Sequence, residues 1–391
     1  MPLPVLSLML VVFSLTTGEF VTAGILPDVA NDLSVSVPAA GLLVTTYAIG
    51  MIIGGPVITL LTARMPRKPL IVGLVAVAVL GNLGSAMAPN YALLLVARSI
   101  AGLVVATFFA VAIATAVSMA PAGKQASTVA KVALGLNLGI ILGTPIGTFI
   151  GHNFGWRATF VAVAAAAAVA LLLVLRFVPA EGPVSTGSVA GELRVFANRD
   201  VQLAIALTAL GNVGIVMVFT YIAPLLTKVS GFGAGAIPIL LLVYGAGAVL
   251  GNFVGGRLAD RALMPALIGM LTVLAAALAL AWLVSGNRPL AASMTFVLGA
   301  LAFAIIPGMQ TKVITAAGAA PTLAVAVNAS GYQLAAAFAG WLGGDVIDSV
   351  LGLRSIYLAA ALLTLVGLAI ALYIARRSST SDTRRAAVAE Q

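Results

Sequence analysis

The chain has 391 residues, of which 62% are hydrophobic and only 8% charged, whereas soluble domains carry about 25% charged residues. This composition excludes a soluble globular fold. The absence of Cys excludes disulfides and thiolate chemistry, and the single histidine, His152, argues against a zinc site built from His. The net charge of +9 does not indicate nucleic-acid binding, because the basic residues stand in short loops between apolar runs.

Apolar runs long enough to cross a bilayer recur along the whole chain. A spanning helix needs about 20 mostly apolar residues, and Pro, Gly or charged residues mark most of the turns between these runs. The sequence therefore predicts an all-α membrane protein with twelve transmembrane helices. The predicted spans are residues 4–27, 39–61, 69–88, 92–118, 128–150, 157–178, 201–226, 236–258, 263–284, 290–310, 321–345 and 354–375.

The longest polar stretch between spans divides the chain into two sets of six helices. We predict an N-terminal six-helix bundle at 1–178, a cytoplasmic linker at 179–200, a C-terminal six-helix bundle at 201–375 and a disordered tail at 376–391. Twelve spans place both termini on one side of the membrane. Most of the 20 Lys and Arg residues fall on that side, which predicts cytoplasmic termini.

The two halves of the chain align without gaps at an offset of 197 residues. YAIGMIIGGPVITLLTAR (47–64) aligns with YGAGAVLGNFVGGRLADR (244–261), and GWRATF (155–160) aligns with GLRSIY (352–357). A shift of six helices preserves orientation, so we predict two bundles related by a pseudo-twofold axis along the membrane normal. The substrate site should then lie between the halves, near the bilayer midplane.

Several motifs are typical of one family of membrane transporters. GEFVTAGILPDVANDL (18–33) followed by AGLLVTTYAIG (40–50) looks like the start of bacterial chloramphenicol-resistance, arabinose-export-like and purine-nucleoside-efflux proteins. These proteins form the twelve-helix drug:proton antiporter branch of the major facilitator superfamily, and the resemblance to this branch covers nearly the whole chain. RSIAG (98–102) resembles the fourth-helix motif of the family, and LGTPIGTFIG (142–151) resembles its fifth-helix exporter motif. The exporter motif has its core at Gly135, Gly139, Gly143, Pro145 and Gly147.

The glycines of this exporter motif recur at a spacing of four and define one smooth helix face. We expect this face to make tight contact across the interface between the halves, with Pro145 permitting the helix to bend. Ordinary packing of small residues within one bundle is the alternative.

The loop after the second helix departs from the family pattern, which has an Asp before its Arg. Residue 63 is Ala here, whereas the second copy, GGRLADR (255–261), keeps its Asp. The resemblance thus implies a cytoplasmic gate that depends more on the second copy. A solvated pair of loop charges, worth about 0–1 kcal/mol, is the alternative. The candidate gate residues are Arg64, Arg67, Lys68, Asp260 and Arg261.

Glu19 stands deep within the first span, where a charge costs about 2.5–3.5 kcal/mol on insertion scales and is usually functional. At 1.5 Å per residue, Glu19 lies about 12 Å from the outer end of its helix, which we place at Pro27. Arg98 lies about 10 Å from the outer end of the fourth helix. These matched depths allow a contact, and we interpret Glu19 as the proton carrier with Arg98 as its partner. Residues that only fix packing are the alternative.

Polar side chains within the other spans are the candidates for the substrate cavity. Each of them could instead hydrogen-bond to a neighbouring helix. The candidates are Thr16, Thr22, Tyr47, Asn137, Asn212, Tyr221, Tyr244, Asn252, Asn328 and Gln333.

These observations predict a secondary transporter that exports a drug or metabolite in exchange for protons, with no bound cofactor. Proton-coupled uptake or facilitated diffusion of a sugar or nucleoside is the alternative. The sequence has neither HExxH nor GxxxxGK[ST], which argues against a zinc protease and against ATP as energy source. The repeat favours alternating access over a channel. We expect a monomer in the cell membrane whose partners are the small molecule, protons and lipid, without nucleic acid.

Overall fold

The computed structural model describes residues 1–62, 64–121, 124–180, 198–317 and 321–389, and all regular elements in this part of the chain are helices. The N-terminal half contains α1 (Leu3–Asp32), α2 (Val37–Leu61), α3 (Arg67–Met87), α4 (Tyr91–Ser118), α5 (Ser127–Phe154) and α6 (Trp156–Phe177). The C-terminal half contains α7 (Arg199–Thr220), α8 (Ile237–Arg261), α9 (Leu263–Val284), α10 (Arg288–Ala317), α11 (Pro321–Asp348) and α12 (Ile356–Ala389).

Eleven of these helices, judged on the described residues, are long and apolar enough to cross a bilayer, and α11 has 28 residues. The predicted twelve-helix fold is therefore confirmed. The predicted linker at 179–200 falls mostly outside the described residues. The predicted tail at 376–391 differs from the structure, because α12 continues to Ala389. Its last described residues, RRAAVA (384–389), favour helix, and a long helix already provides the nucleus for SSTSDT (378–383), which favours helix less.

The internal repeat is visible in the structure, because equivalent helix contacts occur in the two halves at the offset of 197 residues. In α2, Gly54 lies against the backbone carbonyl of Leu103 in α4, where a Cβ would have no room. In α8, Gly251 lies against the carbonyl of Ala300 in α10 in the same way. Both the glycines and the residues they touch are 197 positions apart, so the two helix pairs are packed in the register that the sequence predicts.

The starts of α6 and α12 repeat in the same register. Gly155 and Gly352 have φ angles of 87° and 69°, in the left-handed region that L-residues with a Cβ avoid. Two residues later, Arg157 donates to the Ala88 carbonyl oxygen after α3 (3.3 Å), and Arg354 donates to the Trp282 carbonyl oxygen in α9 (2.8 Å). Each arginine thus satisfies a helix-end carbonyl that has no partner within its own helix.

These close helix contacts predict unequal costs for two neighbouring glycine substitutions in α8. Gly251→Ala should lower the free energy of unfolding by about 1–3 kcal/mol, because its methyl group meets backbone that cannot move aside. Gly256→Ala should be neutral or slightly stabilising, since no described residue lies within 4 Å of its Cβ position and Ala is the better helix former. Folded yield and thermal unfolding in detergent measure both. Equal losses would contradict the packing described here.

The two halves meet tightly on the far side, meaning the side of the membrane opposite Met1, where α1 ends and α2 begins. Thr45 in α2 donates its hydroxyl to the Ala337 carbonyl oxygen in α11 (2.9 Å). Gly340 in α11 lies against Thr45 and Gly41, and the Tyr221 ring closes over Gly41. We call these contacts of α2 with α11 and Tyr221 the far-side seal.

On the terminal side, meaning the side of Met1, the apolar clusters of the described residues each stay within one half. One cluster, which includes Val5 and Val174, has members from the N-terminal half only, and another joins Val201 with Val313 in the C-terminal half. The cluster that crosses between the halves takes N-terminal residues such as Leu26 from the far-side part of α1 and α2. The cleft between the halves is therefore closed at the far side.

Candidate functional site

Glu19 lies near the middle of the 30-residue helix α1 and is partly exposed within the cleft. Its Oε1 accepts a hydrogen bond from Nε2 of Gln333 at 2.9 Å. Gln333 belongs to α11, so this bond joins the N-terminal half to the C-terminal half. Because the far side is sealed, the exposed part of this carboxyl group is reached through the cleft from the terminal side.

Arg98 is fully buried, with its guanidinium carbon 4.3 Å from the centre of the Tyr47 ring and 5.3 Å from that of Phe160. None of its guanidinium nitrogens has a hydrogen-bond partner among the residues that the structure describes. The predicted pair with Glu19 is not formed, since among the described residues no ion pair within 4.0 Å joins them. The faces of the Tyr47 and Phe160 rings hold the Arg98 cation instead. Gln333 hydrogen-bonds to the Glu19 carboxyl group. Arg98 still lies near enough to interact electrostatically with Glu19.

A small pocket with a volume of about 30 Å³, open in part to solvent, lies between the halves beside Phe20, the residue after this acid. Its walls are mostly apolar and aromatic. Phe20 stacks edge to face on Phe219 with ring centres 5.7 Å apart, and Phe219 lies 5.0 Å from Tyr244. Its lining, apolar and aromatic with a few polar groups, has the composition of a small-molecule site, although the cavity in this conformation is smaller than such sites. The lining residues are Phe20, Ile140, Asn212, Ile215, Val216, Phe219, Tyr244, Ala302, Phe303, Ile306 and Tyr332.

Two of the predicted cavity residues line this pocket, namely Asn212 and Tyr244. Asn212 is buried and donates from Nδ2 to the Thr208 carbonyl oxygen at 2.7 Å, with Met309 Sδ at 3.2 Å. Asn212 thus contributes a polar residue to the pocket wall. Gln333 does not line the pocket itself, but the preceding residue, Tyr332, does.

Other predicted cavity residues lie elsewhere. Thr16 is buried against Gly139 of α5, and Thr22 is fully buried in α1. Tyr221 belongs to the far-side seal, where its hydroxyl donates to the Gly340 carbonyl oxygen at 2.6 Å. Placing Tyr221 in the cavity is thus corrected, because its ring fills the space that the glycines of the seal leave open.

The remaining predicted cavity residues are asparagines and a tyrosine outside the pocket lining. Tyr47 is buried beneath the Arg98 guanidinium. Asn137 and Asn328 are partly exposed, and Asn252 is exposed on α8. None of these four is among the residues that line the pocket.

The glycine face of α5 packs on α1 within the N-terminal half and not across the interface between the halves. Small residues let the two backbones approach until side chains and carbonyls of α1 fill the glycine positions. The face of α5 that crosses the interface is instead the one at Ile141, whose Cα lies 3.1 Å from a Cβ position at Gly245 in α8. The structure therefore matches the alternative of packing within one bundle. The glycines on α1 are Gly135, Gly139, Gly143 and Gly147.

A π-helical turn interrupts α5 at Gly139–Gly143, directly before Pro145. Pro145 has no N–H to give to the preceding turn, and Thr144 donates its hydroxyl to the Gly139 carbonyl oxygen at 3.3 Å. Single π-helical turns within α-helices are frequent at functional sites. This one lies between α1 and α8, where α5 contacts both halves.

Comparison with known proteins places this architecture in a family. Residues 8–322 match the sequence model described as Major Facilitator Superfamily. The chain belongs to this superfamily. It is 34% identical over 366 residues to the uncharacterized MFS-type transporter YfhI of Bacillus subtilis (strain 168), covering 94% of this chain and 92% of that one. It is 34% identical over 380 residues to a chloramphenicol resistance protein of Streptomyces lividans, covering 95% and 96%.

The fold is also similar to solved transporter structures. The chain aligns with the crystal structure of a D-xylose–proton symporter at a TM-score of 0.75 and 17% identity, covering 95% of this chain and 96% of the other. At this identity the likeness shows the fold alone. Family and fold together make the protein a multi-pass membrane transporter of the Major Facilitator Superfamily.

In this superfamily member, the predicted gate residues lie at the terminal side. Lys68 donates from Nζ to the Leu175 carbonyl oxygen near the end of α6 at 2.8 Å. Asp260 forms no ion pair within 4.0 Å with any residue that the structure describes. Arg67 is partly buried, and the exposed members are Arg64, Asp260 and Arg261. Position 63 lies outside the described residues.

This arrangement predicts an asymmetric gate. Asp260→Asn should favour the conformation described here. Among the described residues Asp260 has no ion-pair partner in this conformation, so removing its charge weakens only the alternative conformation. It should shift the population of the two states by more than Ala63→Asp does. Fluorescence reporters on the two halves at the terminal side measure the shift. Equal responses to the two substitutions would remove the asymmetry.

Sequence reasoning missed the aromatic walls of the transporter's pocket. Phe20, Phe219, Phe303 and Tyr332 line it, whereas the candidates that the sequence indicates are all polar. One usable signal was present, because Phe20 follows Glu19 directly and Tyr332 precedes Gln333 directly. Within the described part of the chain, no group of three His, Asp or Glu residues could hold a metal ion.

Proposed function

We propose that this transporter exports a small organic molecule in exchange for protons by alternating access. The observation that supports the proposal is the carboxyl group of Glu19 at mid-membrane, hydrogen-bonded across the interface between the halves. An ionisable group at this depth is by default a functional candidate. A proton bound to it changes a contact that the two halves must break in order to rearrange.

The proposed cycle uses the two states in turn. In the state closed at the far side, Glu19 is reached from the terminal side, where it releases its proton and the pocket binds substrate. The loaded transporter then opens at the far side, releases the substrate there and accepts a proton. Protonation neutralises Glu19 and favours the return. A proton drives this exchange only through its different affinities for the two states.

Arg98 has the role of stabilising the ionised form of Glu19. Its cation is buried and unpaired by hydrogen bonds, so it gains from a nearby anion. When Glu19 carries a proton that gain is lost. Arg98 therefore makes the free energy of the N-terminal half depend on whether Glu19 is protonated. This dependence does not require direct contact between Arg98 and Glu19.

Two features favour export of amphipathic or aromatic molecules over uptake of sugars. The pocket walls are largely apolar and aromatic, whereas sugar recognition requires many hydrogen-bonding groups. The chain is also similar to a protein named for chloramphenicol resistance. The fold itself decides nothing about direction, since a D-xylose–proton symporter shares it.

Everted membrane vesicles with an acidic lumen test this proposal, with chloramphenicol as the first probe. Antiport predicts accumulation of the probe in the lumen that collapses when a protonophore removes the gradient. Proton-coupled uptake predicts depletion of the lumen, and facilitated diffusion predicts no dependence on the gradient. A protease site added at the C-terminus should be cleaved from outside these vesicles if the termini are cytoplasmic, as the distribution of Lys and Arg predicts.

A further inference from the structure

Gln333 is placed to respond to the protonation state of Glu19. The side chain is buried, with 8% of its surface exposed, and its Nε2 donates to Glu19 at 2.9 Å. Within the described part of the chain, its Oε1 is buried without a hydrogen-bond partner. A buried polar atom without a partner in an otherwise satisfied pair is unusual and calls for a missing donor.

The missing donor is supplied if Glu19 carries a proton. An ionised carboxylate only accepts hydrogen bonds, so it satisfies the N–H of an amide and leaves the amide oxygen unsatisfied. A protonated carboxyl group also donates, and it pairs with an amide through two hydrogen bonds. The acid O–H then donates to Gln333 Oε1 while the amide N–H donates to the acid carbonyl oxygen. The reversed amide orientation leads to the same requirement, since Oε1 would then face Glu19 directly.

Gln333 also stands at the junction of the other functional features. Ala337, which accepts the Thr45 bond of the far-side seal, lies one helical turn after Gln333 on α11. Tyr332, directly before it, lines the pocket. A change in the bond between Glu19 and Gln333 therefore acts on the helix that forms the seal.

The groups that surround Glu19 do not replace this partner. Arg98 of α4, Tyr47 of α2 and Tyr332 of α11 are the titratable groups that lie near it. Tyr244 of α8 lines the pocket together with Tyr332. The helices α3, α5, α6 and α7 carry their charged groups near their ends, away from the midplane.

We propose that Gln333 couples the protonation of Glu19 to closure of the far side, by forming two hydrogen bonds with the protonated acid and one with the ionised acid. The protonated protein thus favours the sealed state described here. This inference rests on the proposed proton antiport and names the residue that carries the signal between the halves. Gln333 acts here as a positioning residue, since it holds no proton itself.

Spin labels at Phe154→Cys and Val350→Cys report far-side closure directly. Both positions are exposed, at 73% and 104%, and they belong to different halves. The chain has no other Cys to be labelled. In the otherwise unchanged protein, lowering the pH should shift the distance distribution to the short, sealed population by about tenfold or more in population ratio. Gln333→Met, which keeps length and removes both hydrogen bonds, should abolish most of this shift.

Controls separate this inference from the proposed function. Leu334→Met, at an exposed neighbouring position, should keep the full shift. If Gln333→Met does not fold, Gln333→Asn, whose shorter amide cannot reach Glu19 without backbone movement, serves in its place. A full shift in folded Gln333→Met or Gln333→Asn overturns the inference while leaving antiport intact. If the unsubstituted protein shows neither a shift nor gradient-driven transport, the proposed function itself fails.

Discussion

Glu19→Gln should abolish gradient-driven transport while leaving exchange of substrate across the membrane measurable. The glutamine side chain has the shape and charge of the protonated acid but cannot release a proton. The two directions of conformational change then break and form the same contact between the introduced glutamine and Gln333. Substrate therefore still exchanges, but a proton gradient cannot bias the direction of its transport. If the affinities of the two states for the proton differ by about two pKa units, the lost bias is about 2.7 kcal/mol, or nearly a hundredfold.

Proton release from purified protein on addition of substrate is the decisive measurement for Glu19. Asp32→Asn is the matched control, because Asp32 lies on the same helix but at its surface end, paired with Arg157. That variant should release protons as the unsubstituted protein does. Undiminished release by Glu19→Gln would mean that another group carries the proton, and Glu19 would then be a structural residue.

The helices and the repeat could be predicted because each depends on local sequence. Long apolar runs mark spans wherever they occur, and Gly155 and Gly352 mark equivalent turns because only glycine adopts their φ angles readily. The shared offset of 197 residues then fixed which positions of the two bundles correspond. None of these inferences required knowing how the halves meet.

The partner of Glu19 could not be predicted in this way. Matched depths favoured Arg98, but depth along a helix does not determine which face a side chain occupies. The choice of Gln333 depends on the approach of α11 from the other half, and the seal that fixes this approach involves Thr45 and Ala337, two residues with no distinctive signal. Arg98 is instead held between aromatic rings.

The pocket walls were missed for a related reason. In a chain that is 62% hydrophobic, an apolar side chain facing a cavity looks the same in sequence as one facing lipid. Phe219 and Phe303 give no contrast of the kind that marks an amphipathic helix in a soluble protein. The glycines of α5 were ambiguous as well, because a smooth face fits any close neighbour and the sequence does not say which helix that is.

A disulfide across the far-side seal should stop transport completely and reversibly. In α11, a Cβ at Gly344 would lie 3.2 Å from the Cβ of Pro38 in α2, close to the separation that a disulfide requires. The natural chain has no Cys, so Pro38→Cys with Gly344→Cys forms one defined pair. Oxidation should hold the far side closed, and a cycle that must open this side cannot then proceed.

The controls for this disulfide distinguish arrest of the cycle from general damage. Reduction should restore transport, and each single cysteine variant should transport under oxidising conditions. Val21→Cys with Gly147→Cys places a second disulfide within the N-terminal half, where the Cβ separation is 3.5 Å. Because α1 and α5 move together as parts of one bundle, this disulfide should leave transport largely unaffected. Continued transport by the fully oxidised variant with Pro38→Cys and Gly344→Cys would show that opening between α2 and α11 is not part of the cycle.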